Sequence, residues 1–300
     1  MYNIGIDADG LKRESLHTMK NIPSLILCTL MLLSFALLFT ACGKDKTDSL
    51  APGLYDKDGD LISSWDNLTS EYGFNVETDY TYDTHPDSPS CILADNADLA
   101  GGVTLVIGNV NKIGDMSFKF CETLTTVVIP DSVTSIGAEA FWFCSSLKTV
   151  KLGKSLTSIG DSAFTACTSL EGISIPNTVT HIGTGAFQRC TALESITLPD
   201  SLKTVYPNLF SSCESLKSVK LGKNLESICF HAFLGTALTS ITIPKSVTVI
   251  EDESFMGCSD LVSITFEGST SEWNSLVTDD LASSVAATEV KCSDGTVPLN

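Results

Sequence analysis

Three hundred residues, 43% of them apolar and only 18% charged, suffice to bury a sizeable core, which excludes disorder throughout and predicts one or two domains. The net charge is −18, and it is concentrated in the flanks: residues 43–100 hold 13 acidic and 3 basic side chains, residues 101–267 hold 15 and 11, and residues 268–300 hold 5 and 1. Binding to nucleic acid needs a basic surface that releases counterions from the phosphates, so DNA and RNA are excluded as partners.

The N-terminus reads as an address. Met19-Lys20 precedes an uncharged run from Asn21 to Ala41, most apolar between Leu25 and Phe39, that ends in Thr40-Ala41-Cys42-Gly43. A positive start, an apolar stretch and small residues at the end are the parts of a secretory signal. Residues 1–18 carry mixed charge ahead of a second methionine, which places the start of translation at Met19. Leu38-Phe39-Thr40-Ala41-Cys42 resembles a bacterial lipobox, with Phe39 where an aliphatic residue is usual. The resemblance implies that residues 1–41 are removed and that Cys42 is acylated, anchoring the chain to the membrane. An uncleaved span is the rival reading, because the run approaches the roughly 20 residues that cross a bilayer. Residues 42–53 are polar, lack an apolar period, and read as a flexible tether.

Residues 54–102 are expected to close the N-terminal end of the fold. Asp58-Gly59 marks a hairpin turn, and Ser64 marks the start of a short helix carrying Trp65 and Leu68. Asp56-Lys57-Asp58-Gly59-Asp60 resembles the start of a calcium loop only superficially. That motif needs Gly at its sixth place and Glu at its twelfth, and Leu61 and Asn67 stand there.

From residue 103 to 267 the chain repeats itself. Phe118, Phe141, Phe164, Phe187, Phe210, Phe233 and Phe255 recur every 23 residues, the last gap alone being 22. One unit reads Ile-Gly-x-x-Ala-Phe-x-x-Cys-x-x-Leu-x-x-Val-x-Ile-Pro-x-Ser-Val-x-x, as in Ile136-Gly137, Ala140-Phe141, Cys144, Leu147, Val150 and Leu152. A unit of this size cannot bury its apolar residues alone, so copies must stack around one continuous core. Alternation in Val127-Val128-Ile129, Ile173-Ser174-Ile175, Ile196-Thr197-Leu198 and Ile241-Thr242-Ile243 marks a short strand in each coil, ended by Pro130, Pro176, Pro199 and Pro244. Stacked in parallel, these strands form one sheet face that advances ~4.8 Å per coil. Ala163-Phe164-Thr165-Ala166-Cys167 and its counterparts suit a helical turn on the opposite side. Where the Ile-Gly pair becomes Val205-Tyr206, Ile228-Cys229 and Ile250-Glu251, a positive φ is not required. One residue is missing between Phe233 and Leu238, which predicts a tightened outer turn with Thr236 in the Cys position and the strand register kept.

These repeats make the sequence similar to the BspA-like family of bacterial leucine-rich repeat surface proteins. The resemblance extends into the flanks, at Gly53-Leu54-Tyr55-Asp56 through Trp65 and at Phe266-Glu267-Gly268 through Trp273. It implies an α/β-type leucine-rich repeat solenoid on the cell surface, used in adhesion or recognition. Residues 268–300 are expected to form the second end element, with a helix from Ser271 carrying Trp273, Leu276 and Val277, a strand around Val290, and a turn at Asp294-Gly295. Both tryptophans read as plugs for the ends of the stack.

Cys121, Cys144, Cys167, Cys190, Cys213 and Cys258 each follow the repeat Phe by three residues and so form one column. Side chains in such a column lie ~4.8 Å apart and point the same way, whereas a disulfide wants Cβ atoms ~3.8 Å apart on converging vectors, so free buried thiols are expected. The close Cys pairs of a zinc site are absent, Cys91, Cys229 and Cys292 fall outside the column, and the sequence calls for no metal or cofactor. Catalysis finds no support either. The four histidines, His17, His85, His181 and His231, share no constellation, and no phosphate loop, nucleophile turn or metal-binding helix motif occurs.

The expected role is binding of a protein or glycan at the cell surface by a monomer, with a structural spacer or a non-catalytic polysaccharide-binding protein as alternatives. The outward strand positions are Val128, Lys151, Ser174, Thr197, Lys220, Thr242 and Thr265. No aromatic residue is among them, although aromatics arrayed along the strands would favour sugars. Lys148, Lys151, Lys217 and Lys220 form the candidate binding face, extended by Lys154 and Lys223.

Overall fold

The computed structural model describes residues 50–56, 58–66, 68, 76–77, 102–276 and 281–299. The chain divides into the units Met1–Asp48 and Ser49–Asn300, and everything described lies in the second. The signal segment, Cys42, Cys91, His17 and His85 lie outside the described residues.

The chain opens with β1 (Gly53–Tyr55) and β2 (Leu61–Ser64) and then enters the repeats, where each coil takes two short strands. The first strand of successive coils is β3 (Val103–Val106), β5 (Leu124–Val128), β7 (Thr149–Lys151), β9 (Gly172–Ile173), β11 (Ser195–Thr197), β13 (Ser218–Lys220), β15 (Ser240–Ile243) and β17 (Ser263–Phe266). The second is β4 (Lys112–Ile113), β6 (Ser135–Ile136), β8 (Ser158–Ile159), β10 (His181–Ile182), β12 (Thr204–Val205), β14 (Ser227–Ile228) and β16 (Val249–Ile250). Both sets stack in parallel, as in Val127↔Val150 and Ile136↔Ile159. Each ladder is interrupted between the fourth and fifth coils, where the Ser174–Thr197 bridge alone links β9 to β11 and no ladder joins β10 to β12. The solenoid therefore has two parallel sheet faces rather than the one that the alternation predicts. A Ser-Ile pair needs only one inward side chain, Ile136 or Ile159, to hold a two-residue ladder, and that is too short to show a period.

The outer side is also not helical. Phe141 N–H donates to Ala163 O of the next coil at 2.8 Å, and Glu139 and Phe143 donate likewise to Asp161 and Thr165, also at 2.8 Å. Within the coil the bonds span three residues, as from Cys144 N–H to Phe141 O at 3.2 Å. Two left-handed residues four positions apart recur in each coil, Glu139 and Phe143 in one and Ser162 and Ala166 in the next, with φ between 53° and 62°. A left-handed residue turns its N–H out of the helical path and along the stack. The Ala-Phe-x-x-Cys segment is thus a run of tight turns hydrogen-bonded from coil to coil.

Glycine in the Ile-Gly pair answers to close approach, not to positive φ. A Cβ on Gly160 would come within 2.6 Å of Ala138 N and Gly137 C, and its φ is not left-handed. At Phe233 the shortened turn keeps the strands aligned, with Val219↔Ile241 in place. Thr236 takes the Cys position, buried, and its hydroxyl donates to Phe233 O at 3.0 Å.

Inside the coils the seven repeat phenylalanines are fully buried and stacked, with neighbouring ring centroids 5.0 to 5.9 Å apart and planes within 16°. The Cys column lies beside them, and all eight described cysteines are free thiols. Each column thiol after the first donates to the Phe carbonyl of the preceding coil, Cys144 to Phe118 at 3.1 Å and Cys190 to Phe164 at 3.2 Å. Burial pushes Cys167 and Cys190 well above the usual thiol range, and Cys213 up to about 12. Such thiols stay protonated, so these three pack rather than react.

At the start of the sheet, β1 pairs antiparallel with both β2 and β3. The β1–β2 turn is made by Gly59 at φ 88° and by Asp56, whose carboxylate accepts the N–H groups of Asp58 and Asp60 at 2.9 Å. Those bonds tie the aspartates into a hairpin. At the other end β17 is followed by the helix α1 (Thr270–Leu276) and the short helix α2 (Leu281–Ser284). β18 (Glu289–Cys292) then pairs parallel with β17, and β19 (Gly295–Pro298) pairs antiparallel with β18. Ser269, not Ser271, caps α1 reciprocally: Glu272 N–H donates to its hydroxyl at 3.3 Å, and Ser269 N–H donates to the Glu272 carboxylate at 2.7 Å. Trp273 is buried against Phe266 at 5.4 Å.

Candidate binding surface

Period-two alternation sends one residue of each first strand inward and its two neighbours out. Val150, Ile173, Ile196, Val219, Ile241 and Ile264 are buried, while Thr149, Gly172, Ser195, Ser218 and Ser240 are exposed on one side of them. On the other side Ser174, Thr197, Lys220 and Thr242 are exposed, and Val128, Lys151 and Thr265 are half-buried. The outward face is thus two columns dominated by short hydroxyl side chains, punctuated by lysines.

Strand register puts the predicted residues on one line. Val128 opposes Lys151, Ser174 bridges Thr197, Thr197 opposes Lys220, Lys220 opposes Thr242, and Thr242 opposes Thr265. Lys148 and Lys217 are exposed just ahead of β7 and β13, their N–H groups held by Thr125 O at 2.9 Å and Glu194 O at 3.0 Å. Each of the two lysine groups is therefore carried on rigid backbone.

Sequence reasoning missed Lys291. It is exposed, opposes Thr265 and continues the same column one strand further, a placement visible only once β18 is known to pair with β17. The flanking lysines are also not equivalent. Lys223 Nζ pairs with Asp200 at 2.9 Å, and the Asp200 carboxyl is held below its ordinary range, first by the Lys223 N–H at 3.0 Å and then by that ammonium group. Lys154 N–H is held the same way by Asp131 at 2.7 Å. Asp131 and Asp200 thus fix the turn that follows each lysine-bearing strand.

Among the described residues, no three His, Cys, Asp or Glu side chains gather to hold a metal ion. His181 lies edge-on to Tyr206 at 5.0 Å, and His231 pairs with Glu253 at 2.8 Å, so the two histidines have separate partners. Among the described residues no helix is long and apolar enough to cross a membrane.

Stacked short strands, a repeated apolar ladder and an outward polar face define a leucine-rich repeat solenoid. The BspA type leucine-rich repeat region matches residues 104–215 and 181–279 in 6 copies, and the chain belongs to that family. A leucine-rich cell surface protein of Faecalibacterium prausnitzii A2-165 is similar in structure, with 37% identity and a TM-score of 0.51, over 57% of this chain and 51% of that one. A leucine-rich repeat protein of Bacteroides ovatus is 29% identical with a TM-score of 0.41, over 63% of this chain and 60% of that one. The leucine-rich repeat protein of T. pallidum is 28% identical with a TM-score of 0.39, over 53% of this chain and 78% of that one. The chain thus spans about half the length of the first and 60% of the second. A search of curated proteins gave no match.

Proposed function

We propose that this chain is an exported, lipid-anchored binding protein that holds an acidic macromolecule, a protein or a glycan, at the cell surface. The observation that carries the reading is the exposed strand column, on which Lys151 and Lys220 stand in register with small hydroxyls and Lys148 and Lys217 beside them. On a molecule of charge −18 the lysines form two separate cationic groups, because the exposed Glu171 and Glu194 hold the place of Lys148 and Lys217 in the two coils between. The two groups sit three coils apart, roughly 14 Å along the sheet. Such spacing suits an extended anionic chain or an acidic patch. The surface location follows the similar Faecalibacterium protein, which is a cell surface protein.

The test uses the full chain with Lys148, Lys151, Lys217 and Lys220 all changed to Ser, on surfaces coated with an acidic polysaccharide such as heparin. Removing these four charges should lower affinity roughly tenfold, with an almost unchanged melting midpoint. Binding by the parent should fall with added salt, since exposed charges are screened beyond ~8 Å at physiological ionic strength. A structural spacer would show no binding in either form. Undiminished, salt-insensitive binding by the variant would move the contact surface elsewhere.

Anchoring rests on the apolar run ending in Ala41-Cys42. Metabolic labelling with a fatty-acid analogue should mark the parent and leave Cys42→Ala unlabelled. Equal label on both removes the anchor.

A further inference from the structure

The outer turns of two adjacent coils carry an exposed aromatic cluster that the strand-face reading does not use. Phe120 and Phe143 are 42% and 38% exposed, with ring centroids 5.9 Å apart. Trp142 sits between them, 4.8 Å from Phe120 at 84° and 5.4 Å from Phe143 at 45°. Lys119 Nζ lies 4.5 Å from the centre of the Trp142 ring and is ion-paired with Glu139. Its side chain is only 9% exposed, so it braces the cluster from beneath rather than offering a free charge.

Phe120 and Phe143 share their backbone conformation with the corresponding residues of the other coils. Both stand at the left-handed position of the outer turn, with φ of 64° and 62°. The stack imposes that conformation, because Phe120 N–H donates to Trp142 O and Phe143 N–H donates to Thr165 O, each at 2.8 Å. In later coils the same place holds Ala166, Arg189 and Ser212, and then Gly235 and Gly257, which adopt it without steric cost. A bulky side chain there is disfavoured. Neither ring is buried, so core packing does not explain why Phe stands at this place in the first two coils.

Size and charge select the occupant. A protein partner engages about 20–30 residues a side, far more than three adjoining rings. Lys119 and Glu139 neutralise each other beneath the rings, and the exposed Glu122, two residues after Phe120, is the charge that remains on these two turns. An anionic ligand is therefore repelled and a neutral one accepted. The geometry points to a neutral glycan: the apolar C–H face of a pyranose packs on Phe120, Trp142 and Phe143, and its hydroxyls donate to Glu122. Amphipathic rings beside a placed acceptor are the usual make-up of a small-ligand site. This site lies apart from the lysine column and does not depend on it.

The experiment incubates the full chain with four insoluble neutral polysaccharides: cellulose, starch, a β-1,3-glucan and a mannan. The parent should be retained on at least one of them. Phe120→Gly with Phe143→Gly should lower that retention by roughly tenfold or more while leaving the melting midpoint unchanged or raised, because glycine relieves the left-handed strain. The Lys148, Lys151, Lys217 and Lys220 to Ser variant should be retained like the parent. In the parent, the soluble oligosaccharide of the retaining polymer should shift tryptophan emission, and Trp142→Phe should abolish the shift. No retention on any of the four, equal retention by the double glycine variant, or a fall in its melting midpoint overturns the proposal. Retention that depends on the lysines instead assigns glycan binding to the strand face and overturns it as well.

Discussion

Replacing Phe187 by Ala should cost about 3–5 kcal/mol, the range for removing a fully buried aromatic side chain from a packed core. Phe187 is fully buried, stacked between Phe164 at 5.5 Å and Phe210 at 5.9 Å, and its carbonyl accepts the Cys213 thiol at 3.0 Å. Loss of the ring leaves both neighbours facing a void, because backbone bonds from coil to coil, such as Phe187 N–H to Leu209 O at 3.1 Å, resist collapse. Stability in a solenoid is close to a sum of nearest-neighbour terms, so a defect in the middle coil also weakens the coupling of the two halves. Phe255, which stacks on Phe233 alone at 5.2 Å, should matter less for that coupling when changed to Ala. Urea melts would check both: a broadened or two-step transition for Phe187→Ala, and a single shifted one for Phe255→Ala. A Phe187→Ala variant as stable as the parent would refute the assignment of the ring column to the interior.

Two glycines should respond with opposite sign to the same substitution. A Cβ on Gly153 would lie 2.6 Å from Pro130 C and 2.9 Å from Asp131 Cα, both backbone atoms of the preceding coil. Gly153→Ala should therefore destabilise by at least the roughly 1–3 kcal/mol of overpacking, since a backbone cannot rotate out of the way. Gly172 on the outward strand face has nothing within 4 Å of its Cβ direction and an ordinary φ. Gly172→Ala should stabilise by about 0.4–1 kcal/mol, through the smaller conformational freedom of the unfolded chain. Midpoints of thermal unfolding for the pair decide the matter. Equal effects of the two substitutions would mean that coil spacing at Pro130 is looser than the structure shows.

Gly153 and Gly172 illustrate where local reading stops. Both sit near a strand end in adjoining coils, and nothing in their immediate sequence distinguishes a contact glycine from a free one. The 23-residue period and the inward apolar residues are different, because each coil must bury the same positions and so writes them repeatedly. Lys151 and Lys220 were legible by the same logic, lying between two inward residues on a strand. Lys291 was not, because its place in the column depends on a pairing formed after a helical excursion of the chain. The aromatic cluster is intermediate. Trp142 and Phe143 are adjacent in sequence, but Phe120 joins them only through the stacking of the neighbouring coil.

From the amino-acid order alone follow the repeat, the stack, the buried phenylalanine, leucine and cysteine columns and the outward face of the first strands, since a periodic apolar pattern has one way to leave water. The second sheet and the form of the outer side were decided by tertiary structure. The left-handed positions hold residues as unlike as Met116, Glu139, Ala166, Arg189 and His231, so no side-chain preference marks them. They are set by N–H groups that must find a carbonyl, and the one within reach belongs to the next coil.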